Sequence, residues 1–138
     1  MEIRRGILLG LAETDLVFVP EFTLPSGRRA DLIALDAKGL IAIIEIKSSV
    51  ADFNADSKWT EYKVFSDKFY FASHPSVPAD IFPKEQGFIL SDRHGCEIIR
   101  ESETVKLAPP TRKSLTLKIA RAAAARLQIL SDYASELG

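Results

Sequence analysis

Residues 40–47, Leu40-Ile41-Ala42-Ile43-Ile44-Glu45-Ile46-Lys47, constrain the fold of this chain more than any other stretch. An isoleucine-rich apolar run of this length marks a strand buried on both faces. It ends in Glu45-Ile46-Lys47, and side chains two apart in a strand share a face. A carboxylate and an ammonium therefore emerge together at the end of an apolar strand. Upstream, Asp36-Ala37-Lys38-Gly39 supplies turn chemistry, with Gly39 able to take positive φ. The preceding segment, Asp31 to Leu35, then runs back alongside and brings Asp31 within reach of Glu45 and Lys47. The trio is either a reactive site or an ion pair on a half-exposed strand face.

The remaining composition narrows the classes. A chain of 138 residues suits one domain, 1–138, with a sizeable core. The single cysteine, Cys96, excludes an internal disulfide framework and a multi-cysteine zinc site, and reads as a small core residue. No apolar run approaches the roughly 20 residues of a membrane span. Met1-Glu2-Ile3-Arg4-Arg5 does not open a signal peptide, so a cytoplasmic location without membrane partners is expected. The net charge of −1 does not by itself advertise a nucleic-acid binder. Its distribution is uneven. Lys106, Arg112, Lys113, Lys118, Arg121 and Arg126 give the segment from Val105 to Ser131 a charge of +6, leaving −7 elsewhere. Such a segment can hold phosphates or form a solvated helix face.

In chain order, Ile3, Ile7, Leu8 and Leu11 recur at helical spacing and predict a helix over 2–13. Leu16 to Leu24 reads as a first strand, which Pro20 places at an edge or gives a bulge. Pro25-Ser26-Gly27 is a turn, and the third strand spans 40–48. Phe53 reads as loop. A helix is expected over 56–66, capped by Asp56 or Ser57, with Trp59, Tyr62 and Val64 or Phe65 on one face. Phe69 to Ala72 is a strand, and Ser73 to Glu85, with three prolines, a loop. Gly87–Ser91 and Cys96–Arg100 form a hairpin. After Ala108-Pro109-Pro110, Thr111 or Ser114 caps a long helix to about Glu136. Its apolar stripe is Leu115, Ile119, Ala123, Leu127, Leu130, Ala134 and Leu137. The order gives an α/β fold with a central mixed sheet: an antiparallel meander, a parallel strand reached through the 56–66 crossover, and a hairpin, flanked by helices.

Two carboxylates converging at a strand end repel unless a cation joins them. Asp31, Glu45 and the backbone carbonyl of Ile46 form an oxygen set suited to Mg²⁺ or Mn²⁺. Such an ion lowers the pKa of a bound water and neutralises charge on phosphorus, while Lys47 orients the water or stabilises developing charge. Arg28 and Arg29, beside Asp31, can pair with the acids or hold a phosphate. Lys58 can contact phosphate, and Asp52 can extend the metal shell. Trp59 and Tyr62 can stack on bases or pack on the sheet. Asp52 and Asp56 equally suit turn and cap positions. His74 and His94 have no metal-ligand partners in the sequence.

At these residues the chain resembles the PD-(D/E)xK nuclease superfamily: Asp31, thirteen residues, then Glu45-Ile46-Lys47. Gly27-Arg28-Arg29-Ala30-Asp31, Glu45-Ile46-Lys47-Ser48-Ser49, Asp52-Phe53, Asp56-x-Lys58-Trp59-x-x-Tyr62 and Asp67 to Ala72 are similar to the MmcB-type family of bacterial DNA-repair proteins. That likeness runs on through Phe82-Pro83, the hairpin and the Leu107-to-Leu127 tail. The resemblance implies a restriction-endonuclease-like core and a DNA-repair role. It implies Asp31 and Glu45 as metal ligands and Lys47 as the catalytic lysine. Arg28, Arg29, Ser49, Lys58 and Trp59 are the candidate nucleic-acid contacts. Many superfamily members add a glutamate from the first helix. Here that helix offers Glu2 near its start and Glu13 near its end, and Glu21 on the first strand is an alternative ligand.

The favoured expectation is a Mg²⁺- or Mn²⁺-dependent DNA endonuclease-like protein. The alternatives are a non-catalytic nucleic-acid-binding module and a protein-interaction module on the same fold. A homodimer is allowed, although the polar face of the terminal helix shows no dimer seam.

Overall fold

The computed structural model describes residues 2–137, with side chains through Glu136. It divides into two compact units, Met1–Leu107 and Ala108–Gly138. The first is built on one six-stranded sheet in chain order: β1 (Val17–Thr23), β2 (Arg29–Leu35), β3 (Ile41–Ile46), β4 (Lys68–Ser73), β5 (Gly87–Asp92) and β6 (Gly95–Arg100). The β1–β2–β3 meander and the β5–β6 hairpin are antiparallel. β3–β4 and β4–β5 are parallel. The mixed α/β sheet expected from the sequence is present and is consistent with a restriction-endonuclease-like core. β1 is an edge strand, as Pro20 requires.

Isoleucines 41, 43 and 44 are buried, because β3 lies inside the sheet with both faces covered. On one face α1 (Glu2–Gly10) buries Ile7, and Leu11 follows, against Leu32, Ala34, Ala42, Ile44, Tyr70, Ala72 and Ile89. The other face is aromatic. Trp59 stacks on Phe69 at 5.8 Å between centroids, and Phe71 meets Phe53, Trp59 and Phe82 within 5.4 Å. Asp67 ties the start of β3 to this layer: its carboxylate accepts from the amides of Ile41 at 2.7 Å and Leu107 at 2.8 Å.

Four local expectations are corrected. The first helix ends at Gly10 rather than residue 13. Phe53 lies in a helix, α2 (Val50–Ala55), whose N-cap is Ser49, the Ser49 hydroxyl accepting from the Asp52 amide at 3.0 Å. The helix expected over 56–66 is a 3₁₀ segment, Trp59–Phe65. Its aromatics fall at 59, 62 and 65, and a three-residue repeat eclipses on a 3₁₀ helix. The last helix, α3 (Pro109–Leu137), starts on the prolines instead of after them. Proline suits a first helical turn, where its missing N–H has no intrahelical partner and its φ is preset.

In α3, Leu115 and Ile119 are buried, whereas Leu127 and Leu130 are exposed. The Leu137 side chain lies outside the described residues. Among the described residues no helix is long and apolar enough to cross a membrane.

Candidate metal and nucleic-acid site

The β2–β3 register, Leu32↔Ile44, places Asp31 opposite Glu45 when extended by one pair. The two residues cross-link the strand ends reciprocally. The Asp31 amide donates to Glu45 Oε2 at 2.9 Å, and the Ile46 amide donates to Asp31 Oδ2 at 2.8 Å. On the other flank of β2, the ladder to β1 pairs Pro20↔Leu32 and Phe22↔Ala30 but omits Glu21 and Asp31. Glu21 there takes φ +50, a left-handed conformation that non-glycine residues rarely adopt. The interruption of the ladder thus coincides with the first site acid.

Glu45 is 4% exposed. Burial, reinforced by the Asp31 charge, pushes its carboxyl up to about 8. Burial also raises Asp31, against its bond to the Ile46 amide and the nearby Lys47 charge. Tyr62 stands behind the pair. Its hydroxyl donates to the Arg29 carbonyl at 3.2 Å, and burial beside Glu45 pushes it up to about 12.

Lys47 is also buried. Its amide donates to the Ala72 carbonyl at 2.9 Å, and its own carbonyl accepts from the Ser73 hydroxyl at 2.6 Å, so the parallel neighbour β4 fixes its backbone. Its Nζ lies 2.8 Å from Asp56 Oδ2. Arg28 reaches the other Asp56 oxygen at 3.6 Å and Glu61 at 3.6 Å, and lies 5.0 Å over the Tyr62 ring. The Asp56 carboxyl opposes burial through the Lys47 bond, the Lys58 amide and the Lys47 and Arg28 charges, and ends below its ordinary value.

An open cleft of about 420 Å³ fronts Asp31. Ile46, Ser48, Asp52, His74 and Ser76 line it with Glu2 and Ile3 of α1. Asp52 accepts from the Ser48 amide at 2.9 Å, and its charge acts on Asp31.

The structure therefore brings Asp31, Glu45, Lys47 and the Ile46 backbone together. Arg29 is exposed, and its charge acts on Asp31. The other expected nucleic-acid contacts sit differently. Arg28 is held by Asp56 and Glu61, Ser49 caps α2, and half-buried Trp59 packs on Phe69 and Phe71. Lys58 is exposed. Glu21 pairs with Arg4 at 3.8 Å, and among the described residues no group of three His, Cys, Asp or Glu is placed to hold a metal. Sequence reasoning missed the Lys47–Asp56 pair, which lies nine residues apart, and the placement of His74 in the cleft. The position of His74 directly after β4, parallel to the site strand, was the available signal.

No curated protein matches the chain. A solved structure, that of a protein of unknown function from Silicibacter pomeroyi, matches with 41% identity and a TM-score of 0.91 over 95% of this chain and 90% of that one. The family described as DNA repair protein MmcB-like matches residues 1–134, from α1 through nearly all of α3. The chain belongs to this MmcB-like DNA-repair family.

Proposed function

We propose that this chain is a metal-dependent, endonuclease-like enzyme of cytoplasmic DNA repair that hydrolyses phosphodiester bonds at the Asp31–Glu45–Lys47 end of β3. The observation that carries the reading is the adjacent Asp31 and Glu45 carboxylates, each held by a backbone amide of the opposite strand, with a lysine two residues past Glu45. The family supplies the DNA-repair context.

The donor set fits a hard divalent ion. Asp31 and Glu45 offer two carboxylates from adjacent strands, and the ammonium nearest in sequence is bound to Asp56. Mg²⁺ characteristically takes one or two carboxylates and completes its shell with water and substrate phosphate. Asp31, Glu45 and the Ile46 carbonyl would hold it. Once bound, the ion supplies a water of lowered pKa and offsets charge on phosphorus.

The protein groups then divide the remaining work. The Ile46 and Asp31 amides hold the two carboxylates in place. Lys47, anchored by β4 and Asp56, supplies positive charge to the site where phosphate charge would develop. Arg29 steadies the phosphate as it enters.

A second reading keeps the DNA role without catalysis. It is favoured by the engagement of Lys47 with Asp56 and by the two-carboxylate limit on the metal shell. Supercoiled plasmid with Mn²⁺ separates the two. Nicking by the wild type that disappears in Lys47→Ala, with DNA binding retained, is the expected result. Equal nicking by the variant, or none by the wild type, defeats the nuclease reading.

A further inference from the structure

We infer that the first turns of α1 and the β5–β6 turn together form a phosphate-binding subsite, which holds the DNA backbone where it leaves the Asp31 cleft. This assignment rests on the nucleic-acid reading of that cleft.

The subsite exists because Gly6 lets α1 lie directly on the hairpin. A Cβ at Gly6 would overlap the Asp92 carbonyl oxygen and the Ser91 hydroxyl. Ser91 in turn donates its hydroxyl proton to the Ile3 carbonyl at 2.8 Å. This close seating sets Arg5 of α1 beside Arg93 and His94 of the turn, around an open polar pocket of about 570 Å³. Glu2 is the fourth wall of that pocket and also a wall of the cleft fronting Asp31, so the two depressions adjoin.

The two guanidiniums in this pocket are available to an anion, against the single Glu2 carboxylate. Arg4 and Arg28 each meet an acid, whereas among the described residues neither Arg5 nor Arg93 forms an ion pair. Arg93 donates from Nε to His94 Nε2 at 3.2 Å, which orients the guanidinium. The nearby Asp92 carboxylate accepts from the amides of His94 at 2.7 Å and Gly95 at 3.2 Å, which lock the turn. His74 lines the adjoining Asp31 cleft. The Ser76 amide donates to His74 Nδ1 at 3.1 Å, so the neutral ring carries its proton on Nε2, a donor for a phosphate oxygen. Two guanidiniums and an imidazole donor suit successive phosphates, which guanidinium forks bind in bidentate fashion.

The test is fluorescence anisotropy of a short labelled DNA duplex in EDTA, which reads binding without cleavage. Wild type is compared with Arg5→Gln/Arg93→Gln across a salt series. Both side chains are exposed, and circular dichroism checks that the fold is kept. The variant is expected to bind at least about tenfold more weakly at low salt, with a salt slope shallower by about 2, since each phosphate contact contributes about 0.9. Unchanged affinity and slope overturn the subsite. Wild-type protein that binds through these arginines but nicks no plasmid overturns the nuclease reading and leaves the subsite standing. Nicking that survives intact in the double variant, with an unchanged slope, does the reverse. Wild-type protein that binds no duplex at all defeats both.

Discussion

Lys47 and Asp56 meet at 2.8 Å with each side chain only about one-tenth exposed. The lysine of the Glu-x-Lys sequence is thereby held by a residue outside its own strand, just past the end of α2. Glu45 and Asp31 are raised mainly by burial, and the Lys47 charge opposes that rise without cancelling it. The position of the Lys47 ammonium is thus set jointly by β3 and by the α2 segment that follows it.

Removal of Asp56 leaves the Lys47 ammonium buried without its partner. Breaking such a pair from one side costs about 3–5 kcal/mol, largely through the uncompensated charge. Asp56→Ala should therefore lower the urea midpoint strongly, and Lys47→Met in the same background should recover much of the loss. Additive losses in the double variant would show that the pair is not the relevant interaction.

Stability of the metal-free protein should fall as pH rises through the neutral range. The folded-state proton affinity of Glu45 is raised from 4.5 to about 8, so the folded chain keeps a proton that the unfolded chain has released. That contribution is fully present below the unfolded value and is lost as pH climbs toward about 8. Asp31, raised in the same direction, acts with the same sign. Urea midpoints in EDTA should be lower at about pH 8.5 than at about pH 6, and Glu45→Gln should flatten the difference. A wild-type midpoint that rises over this window would contradict the assignment.

Mn²⁺ or Mg²⁺ should stabilise the folded chain through the same two carboxylates. Binding to the native state alone adds about 2.7 kcal/mol at a metal concentration of 100 times Kd. A melting-temperature rise should appear for wild type and vanish in Asp31→Asn. Glu21→Gln should retain it, since Glu21 pairs with Arg4. A rise that survives in Asp31→Asn would place the ion elsewhere.

The β2–β3 hairpin and the Glu-x-Lys strand end were legible in the sequence because both are local. Turn residues, period-two facing and an apolar run determine them without reference to the rest of the chain. Helix α2 was not, because Val50–Ala55 is short and carries no apolar periodicity. Its one signal was Ser49 followed three residues later by Asp52, a pattern that opens helices. The Trp59–Phe65 segment was readable as helical but not as 3₁₀, since aromatics three apart also suit one face of an α-helix. The partners of Lys47 and Arg28, and the seating of α1 on the hairpin, are tertiary facts that no local pattern carries.

Gly6→Ala should destabilise the protein through backbone overlap rather than through chain stiffness. The added methyl meets the Asp92 carbonyl oxygen, which belongs to a turn locked by its own carboxylate and cannot swing aside as a flexible side chain would. Overpacking of this kind costs about 1–3 kcal/mol. Gly27→Ala provides the contrast. Nothing lies within 4 Å of its Cβ, but its φ of +89 makes any side chain strained, at about 1–2 kcal/mol. The two losses separate by hydrogen exchange. Gly6→Ala should speed exchange in α1 and the β5–β6 turn, because the methyl pries those elements apart, whereas Gly27→Ala should act around the β1–β2 turn. Exchange in α1 that is unaffected by Gly6→Ala would mean that the close approach at Gly6 does not hold the helix on the sheet.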